Sequence, residues 1–104
     1  MNLKSEYTVE YFINKFEAIP EDQWTTEVYE DDLGRQCAFG HCSTSTNPDK
    51  IGFVGTTEAA DLLILFIRAD LSVACVNDGR DDRFQQPTPK QRILTALRHI
   101  SNAS

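Results

Sequence analysis

Cys37 and His41 stand four residues apart, and Asn77-Asp78 follows later in the chain. A thiol, an imidazole and an amide or carboxylate are the ingredients of nucleophilic catalysis: the ring takes the thiol proton and the third group holds the ring. On a helix this spacing puts Cys37 and His41 one turn apart on one face. A thiol in the first turn gains thiolate character from the positive end of the helix. The arrangement has a weakness, because a nucleophile and base one turn apart on one helix aim poorly at each other. The competing expectation is structural. Cys37, followed by Ala38-Phe39, reads as a small buried hydrophobe. Asn77-Asp78-Gly79 reads as a turn, and His41 reads as a partner for the Trp24 indole N–H or as a helix cap.

Two other chemistries need weighing. Cys37, His41, Cys42 and Cys75 are four soft ligands, but structural zinc sites pair their ligands two to four residues apart, twice over. Here three cluster and the fourth is distant, so no metal is expected. Gly52-Phe53-Val54-Gly55-Thr56-Thr57 resembles a glycine entry to a helix N-terminus, where an anion can sit. No Walker lysine follows and no GxGxxG is present, so an ordinary loop and cap is the reading and no cofactor is expected.

Those residues need a scaffold. The first element runs over 8–19: Thr8 caps, Val9, Phe12, Ile13, Phe16 and Ile19 share a face, and Pro20 ends the helix. Pro20 to Trp24 reads as one further turn that folds Trp24 back onto helix 1. From Thr25 the chain turns to β-formers around the turn Asp31-Asp32-Leu33-Gly34. Two readings stay open over 25–40: a short hairpin, or a helix from about Gln36 to Cys42. Ser43 to Asp49 is a polar loop.

The second long helix spans 57–69, with Ala59, Leu62, Leu63, Phe66 and Ile67 on one face and Ile64 and Leu65 widening it, which marks a buried helix. Residues 71–76 are strand or short helix. Thr88-Pro89-Lys90-Gln91 opens the last helix, 89–100, as a capping box. Its apolar face is Ile93, Leu94, Leu97 and Ile100, with Arg92 and Arg98 outside. The fold class expected is mainly α (α+β), a compact single domain over 1–104. Three core helices pack around Phe12, Phe16, Leu62, Leu63, Phe66, Leu94 and Leu97, with a short β-hairpin or irregular segment at one end and residues 1–6 frayed.

Several of these motifs together resemble a known family. Trp24-Thr25, Gly34-Arg35, Cys37-Ala38-Phe39-Gly40-His41, Asn77-Asp78-Gly79 and the Arg92, Ala96, Leu97, Arg98 pattern of the last helix are similar to the small bacterial and phage-associated domains of unknown function termed DUF6197. The resemblance covers most of residues 20–100. It implies a mainly helical fold and no established activity.

Composition narrows the function classes. The chain has 104 residues and a formal charge of −6. Residues 1–34 hold nine acids and two bases, against seven acids and eight bases in the rest. An acidic chain repels nucleic acid, so none is expected as a direct partner. The longest apolar run, Leu62 to Ile67, is far short of the about 20 residues a membrane span requires. With three cysteines and no apparent signal peptide, a cytoplasmic protein with free thiols is expected. The leading expectation is a non-catalytic binding or accessory domain with an unknown protein partner. Its candidate contact face is acidic: Glu27, Glu30, Asp31 and Asp32. The rival is a thiol-dependent hydrolase or transferase, with Cys37 as nucleophile, His41 as base and Asn77 or Asp78 as orienter.

Overall fold

The computed structural model describes residues 7–27, 31–42 and 57–103. The stretches read from sequence as a frayed start, a polar loop at 43–49 and a glycine-rich entry at 51–55 lie outside them. The elements are α1 (Val9–Glu17), a 3₁₀ turn (Glu21–Gln23), α2 (Ala38–Cys42), α3 (Thr57–Arg68), α4 (Val73–Asn77) and α5 (Pro89–Ala103). The fold is mainly α, as the periodicity predicts. No strand forms among the described residues. A single parallel bridge joins Trp24 to Gln36. The hairpin alternative therefore fails and the helical one holds. The physical reason is local: the Thr25 and Gln36 amides pair with the Gln36 and Gln23 carbonyls in parallel sense. Meanwhile Asp31 closes a tight turn at Gly34, with φ +79°.

The two long amphipathic helices at the chain's ends pack against each other. Thr8 caps α1 by accepting the Tyr11 N–H at 3.2 Å. Phe12 and Phe16, one turn apart, stack at 6.0 Å and are fully buried. The turn after Pro20 brings Trp24 edge-on to Phe16 at 5.3 Å. α5 covers this cluster with Ile93, Leu94, Ala96, Leu97 and Ile100, and α3 contributes Ala59, Leu62, Leu65 and Phe66. Each such large side chain stabilises the fold by about 1.5–3 kcal/mol. Its start is tied to the 3₁₀ turn, since Thr88 accepts the Gln91 N–H and donates its hydroxyl to Glu21.

Three expectations need correction. Leu63 is only half-buried, and Leu65 takes its place in the core. The face of α3 is thus rotated from the one drawn through Leu63, and Ile67 is left 61% exposed. An evenly apolar helix carries too little polar contrast to define which side faces inward. Arg92 does not lie outside on α5. It is half-buried and points at the end of α4, for reasons given below.

Helices α3 and α4 end the same way. After α3, the Leu71 and Asp70 amides return to the Phe66 and Ile67 carbonyls. After α4, the Arg80 and Gly79 amides return to the Cys75 and Val76 carbonyls. Both are Schellman closures, which demand a left-handed residue. Gly79 supplies it at φ +77°, whereas Asp70 is forced to φ +59°.

Candidate functional site

Asn77 and Asp78 end α4 beside the start of α2, and Asn77 is buried. The Asn77 Oδ1 accepts the Ala38 N–H at 3.1 Å. Its Nδ2 donates to the Thr25 carbonyl and to Asp78 Oδ1, both at 3.0 Å. Asp78 Oδ1 also accepts the Glu27 N–H at 3.0 Å. This bond holds Glu27 at φ +70°, a conformation that L-residues avoid. From the other side, Arg92 donates twice to the Asn77 carbonyl, at 2.8 and 3.2 Å, and once to the Gln86 carbonyl at 2.9 Å. A cation on the last carbonyls of a helix is favourable. The guanidinium lies against Gly79, so close that a Cβ there would stand 3.3 Å from Arg92 Cζ. Gly79 thus serves twice: it takes the left-handed backbone without strain, and it leaves room for a guanidinium that a Cβ would push back by a few tenths of an ångström. Burial pushes the Arg92 pKa down, and the Asp78 charge opposes that. Asn77 thus clasps four segments: the 25–27 strip, the start of α2, α4 and α5.

Cys37 lies at this clasp. It lines a cleft of about 80 Å³ with Glu27, Phe39, Val73, Asn77 and Asp78. It is only 8% exposed. Burial holds its thiol above the usual range. The backbone of Gly40 and Phe39 hydrogen-bonds to it and works the other way, and the nearby Asp78 charge adds to the rise. The structure therefore brings Cys37, Asn77 and Asp78 together.

His41 is not among the residues lining that cleft. Its ring packs on Trp24 with centroids 4.7 Å apart. Neither His41 Nε2 nor Trp24 Nε1 finds a hydrogen-bond partner among the described residues. The two rings pack at a 59° tilt without sharing a proton. Burial pushes His41 down to about 4; the backbone of Gln23 pulls the other way, the Lys15 charge adds to the fall, and the Gln36 backbone opposes it. At neutral pH the ring is uncharged.

The soft ligands do not assemble. Among the described residues no group of three or more His, Cys, Asp or Glu side chains converges to hold a metal ion. Cys37, Cys42 and Cys75 are free thiols. Burial, with the Glu58 charge beside it, drives the Cys42 thiol far up. Among the described residues no helix is long and apolar enough to cross a membrane.

Of the acidic face, Glu30 lies outside the described residues. Asp31 folds into its own turn, accepting the Leu33 and Arg35 amides and pairing with the Arg35 guanidinium at 2.7 Å. Its pKa is lowered: these backbone and side-chain bonds from Arg35 overcome the opposing desolvation. Glu27 pairs with Arg80 at 3.1 Å, and Asp32 is exposed. Further along, Glu17 pairs with Arg98, and Glu10 accepts from Ser101. The uneven charge along the chain is thus partly compensated in space.

A second concavity was not foreseen from sequence. An open groove of about 620 Å³ lies between the end of α3, α4 and the loop 80–83. Ile67, Asp70, Leu71 and Cys75 line it together with Arg80 to Arg83. The loop is well held. Asp81 grips Arg83 through both carboxylate oxygens, at 2.8 and 2.9 Å, which lowers the Asp81 pKa and raises that of Arg83. Gln85 donates to the Asp81 and Gly79 carbonyls. Arg83 also reaches across to the Asp70 carbonyl at 3.3 Å. The available signal was the mixed string Arg80-Asp81-Asp82-Arg83 after a glycine cap. Nothing in that string tells which neighbour it faces. No family model, no curated protein and no solved structure matches this chain.

Proposed function

We propose that this chain is a non-catalytic binding domain that meets a protein partner through its acidic surface. The observation that carries this reading is the Asn77 clasp. The polar residues best suited to chemistry are engaged with backbone groups: Asn77 with Ala38 and Thr25, Asp78 with Glu27, and Arg92 with Asn77 and Gln86. An orienting amide must accept the imidazole N–H with its oxygen, and the Asn77 oxygen is turned to the Ala38 N–H in a cleft that His41 does not line. The acids Glu27, Glu30, Asp31 and Asp32, within a chain of net charge −6, favour a basic partner and speed its approach. The resemblance to small bacterial and phage-associated domains fits an accessory role of this kind. The test is a pull-down from host lysate with wild type and with a variant carrying Glu27→Gln, Glu30→Gln, Asp31→Asn and Asp32→Asn, at low and high salt. The partner should be lost in the variant and weakened by salt. An unchanged partner list removes the electrostatic argument.

One observation favours a second reading, a thiol-dependent hydrolase or transferase. Cys37 shares its cleft with Asn77 and Asp78 and receives backbone hydrogen bonds at the start of α2. Iodoacetamide labelling of the native protein across pH 5–9 separates the two. A nucleophile labels well below the reference thiol pKa of about 8.5. A buried structural cysteine labels only on unfolding.

A further inference from the structure

From the groove beside α4 we infer the chemical class of the partner: a peptide segment that places an aliphatic side chain next to a lysine or arginine. This inference rests on the binding-domain reading above and adds a second contact, apart from Glu27, Glu30, Asp31 and Asp32.

The first observation is Ile67. Among the described residues it and Leu33 are the large hydrophobics left exposed, and Ile67 lines the groove. Leu71 and Cys75 line the same groove. These three are the apolar side chains of the groove lining.

The second observation is charge. The groove's two arginines are already paired, Arg80 with Glu27 and Arg83 with Asp81. Asp70 and Asp82 are exposed; the Asp70 charge interacts with Arg83, and Asp82 stands outside both ion pairs. The lining thus carries three carboxylates against two arginines, one net negative charge, beside apolar surface. Its complement is a cationic side chain beside an apolar one. An acidic segment would meet like charge, which is a strong discriminator at an interface.

The third observation is preorganisation. Arg83 spans the groove to the Asp70 carbonyl, and Gln85 fastens the loop from behind. A surface already held in shape loses little freedom on binding. Asp70 itself occupies a left-handed position that glycine would fill without strain. A carboxylate kept at a backbone cost belongs with a function outside the fold.

The test uses the full chain and three fluorescent peptides of equal length, built from Lys and Leu, from Lys and Ser, and from Glu and Leu. Anisotropy titration should show the Lys/Leu peptide binding at least tenfold tighter than either of the others. Asp70→Gly combined with Asp82→Asn should weaken it about tenfold, and Ile67→Ser should reduce it to the level of the Lys/Ser peptide. Asp70→Gly alone should raise the melting temperature while weakening binding, so that the loss cannot be misfolding. A control variant, Glu10→Gln with Asp22→Asn, removes the same charge elsewhere and should stay within twofold of wild type. Equal weakening by the control, equal binding of the Glu/Leu peptide, or no binding of any peptide overturns the proposal. So does a dimer that Ile67→Ser dissolves, because a second copy would then fill the groove. If groove variants keep the lysate partner while the Glu27, Glu30, Asp31 and Asp32 variant loses it, the groove assignment fails and the binding-domain reading survives.

Discussion

The Asn77 clasp and the Ile67 groove lie on opposite sides of the short helix α4, and they use the same kinds of residue to opposite ends. Both hold an Asx residue next to an arginine and a cysteine. At the clasp, Asn77, Asp78 and Arg92 bond to backbone groups of four segments, and the space left over is about 80 Å³. At the groove, the exposed Arg80 and Arg83 pair with Glu27 and with a largely covered Asp81, and about 620 Å³ stays open. The lesson concerns burial. A polar group cut off from water must find a partner within the fold, so it becomes structure. One at the rim keeps water as an alternative and remains available to a ligand.

The sharpest way to break this contrast is Asn77→Ala. It orphans the buried Ala38 N–H and the Thr25 carbonyl at once. Each buried unsatisfied group costs about 1–3 kcal/mol, so a loss of about 2–4 kcal/mol is expected in urea unfolding. A loss under about 1 kcal/mol would return Asn77 to the list of residues free for chemistry. A comparable effect separates two neighbours on α3. Leu62→Ala should cost about 2–5 kcal/mol, and Leu63→Ala only about 1 kcal/mol, because only the first is fully buried. Equal losses would put the core face back where the sequence pattern drew it.

Next comes pH. The folded pKa of His41, about 4, lies below its unfolded value of about 6.5. The neutral ring therefore stabilises the fold fully above pH 6.5, and that contribution is lost as pH falls from about 6.5 to 4. With solvent screening of a half-exposed ring, the loss is on the order of 1–2 kcal/mol. Unfolding midpoints at pH 7 and pH 5 should differ accordingly, and His41→Phe should remove most of the difference. A pH-independent midpoint would mean that the ring is solvated rather than packed on Trp24.

On the groove side the effects are smaller and of mixed sign. Asp70→Gly should stabilise the fold by up to about 1 kcal/mol through relief of the left-handed strain. Arg80→Gln breaks an ion pair that is mostly in solvent on both sides, and should change stability by less than about 0.5 kcal/mol. A larger loss from Arg80→Gln would show that the groove rim is structural, like the clasp.

The long helices and their caps were legible in the residues. Thr8, Thr88-Pro89 and the 3.6-residue spacing of Phe12, Phe16, Ile93, Leu94 and Leu97 are local signals, and helix formation answers to local signals. So was the turn that carries Trp24 back onto Phe16, since a proline at its head acts within a few residues. The choice between strand and helix within 25–40 and at 71–76 was not legible, because segments of five to seven residues suit either state and tertiary pairing decides. The facing of α3 was equally hidden, because a helix apolar nearly all round packs by whatever surrounds it. The grouping of Cys37 with Asn77 and Asp78 away from His41, and the inward turn of Arg92, depended on contacts between residues far apart in the chain. Those contacts form only when α4 docks on α2 and α5, and one chain carries no record of them.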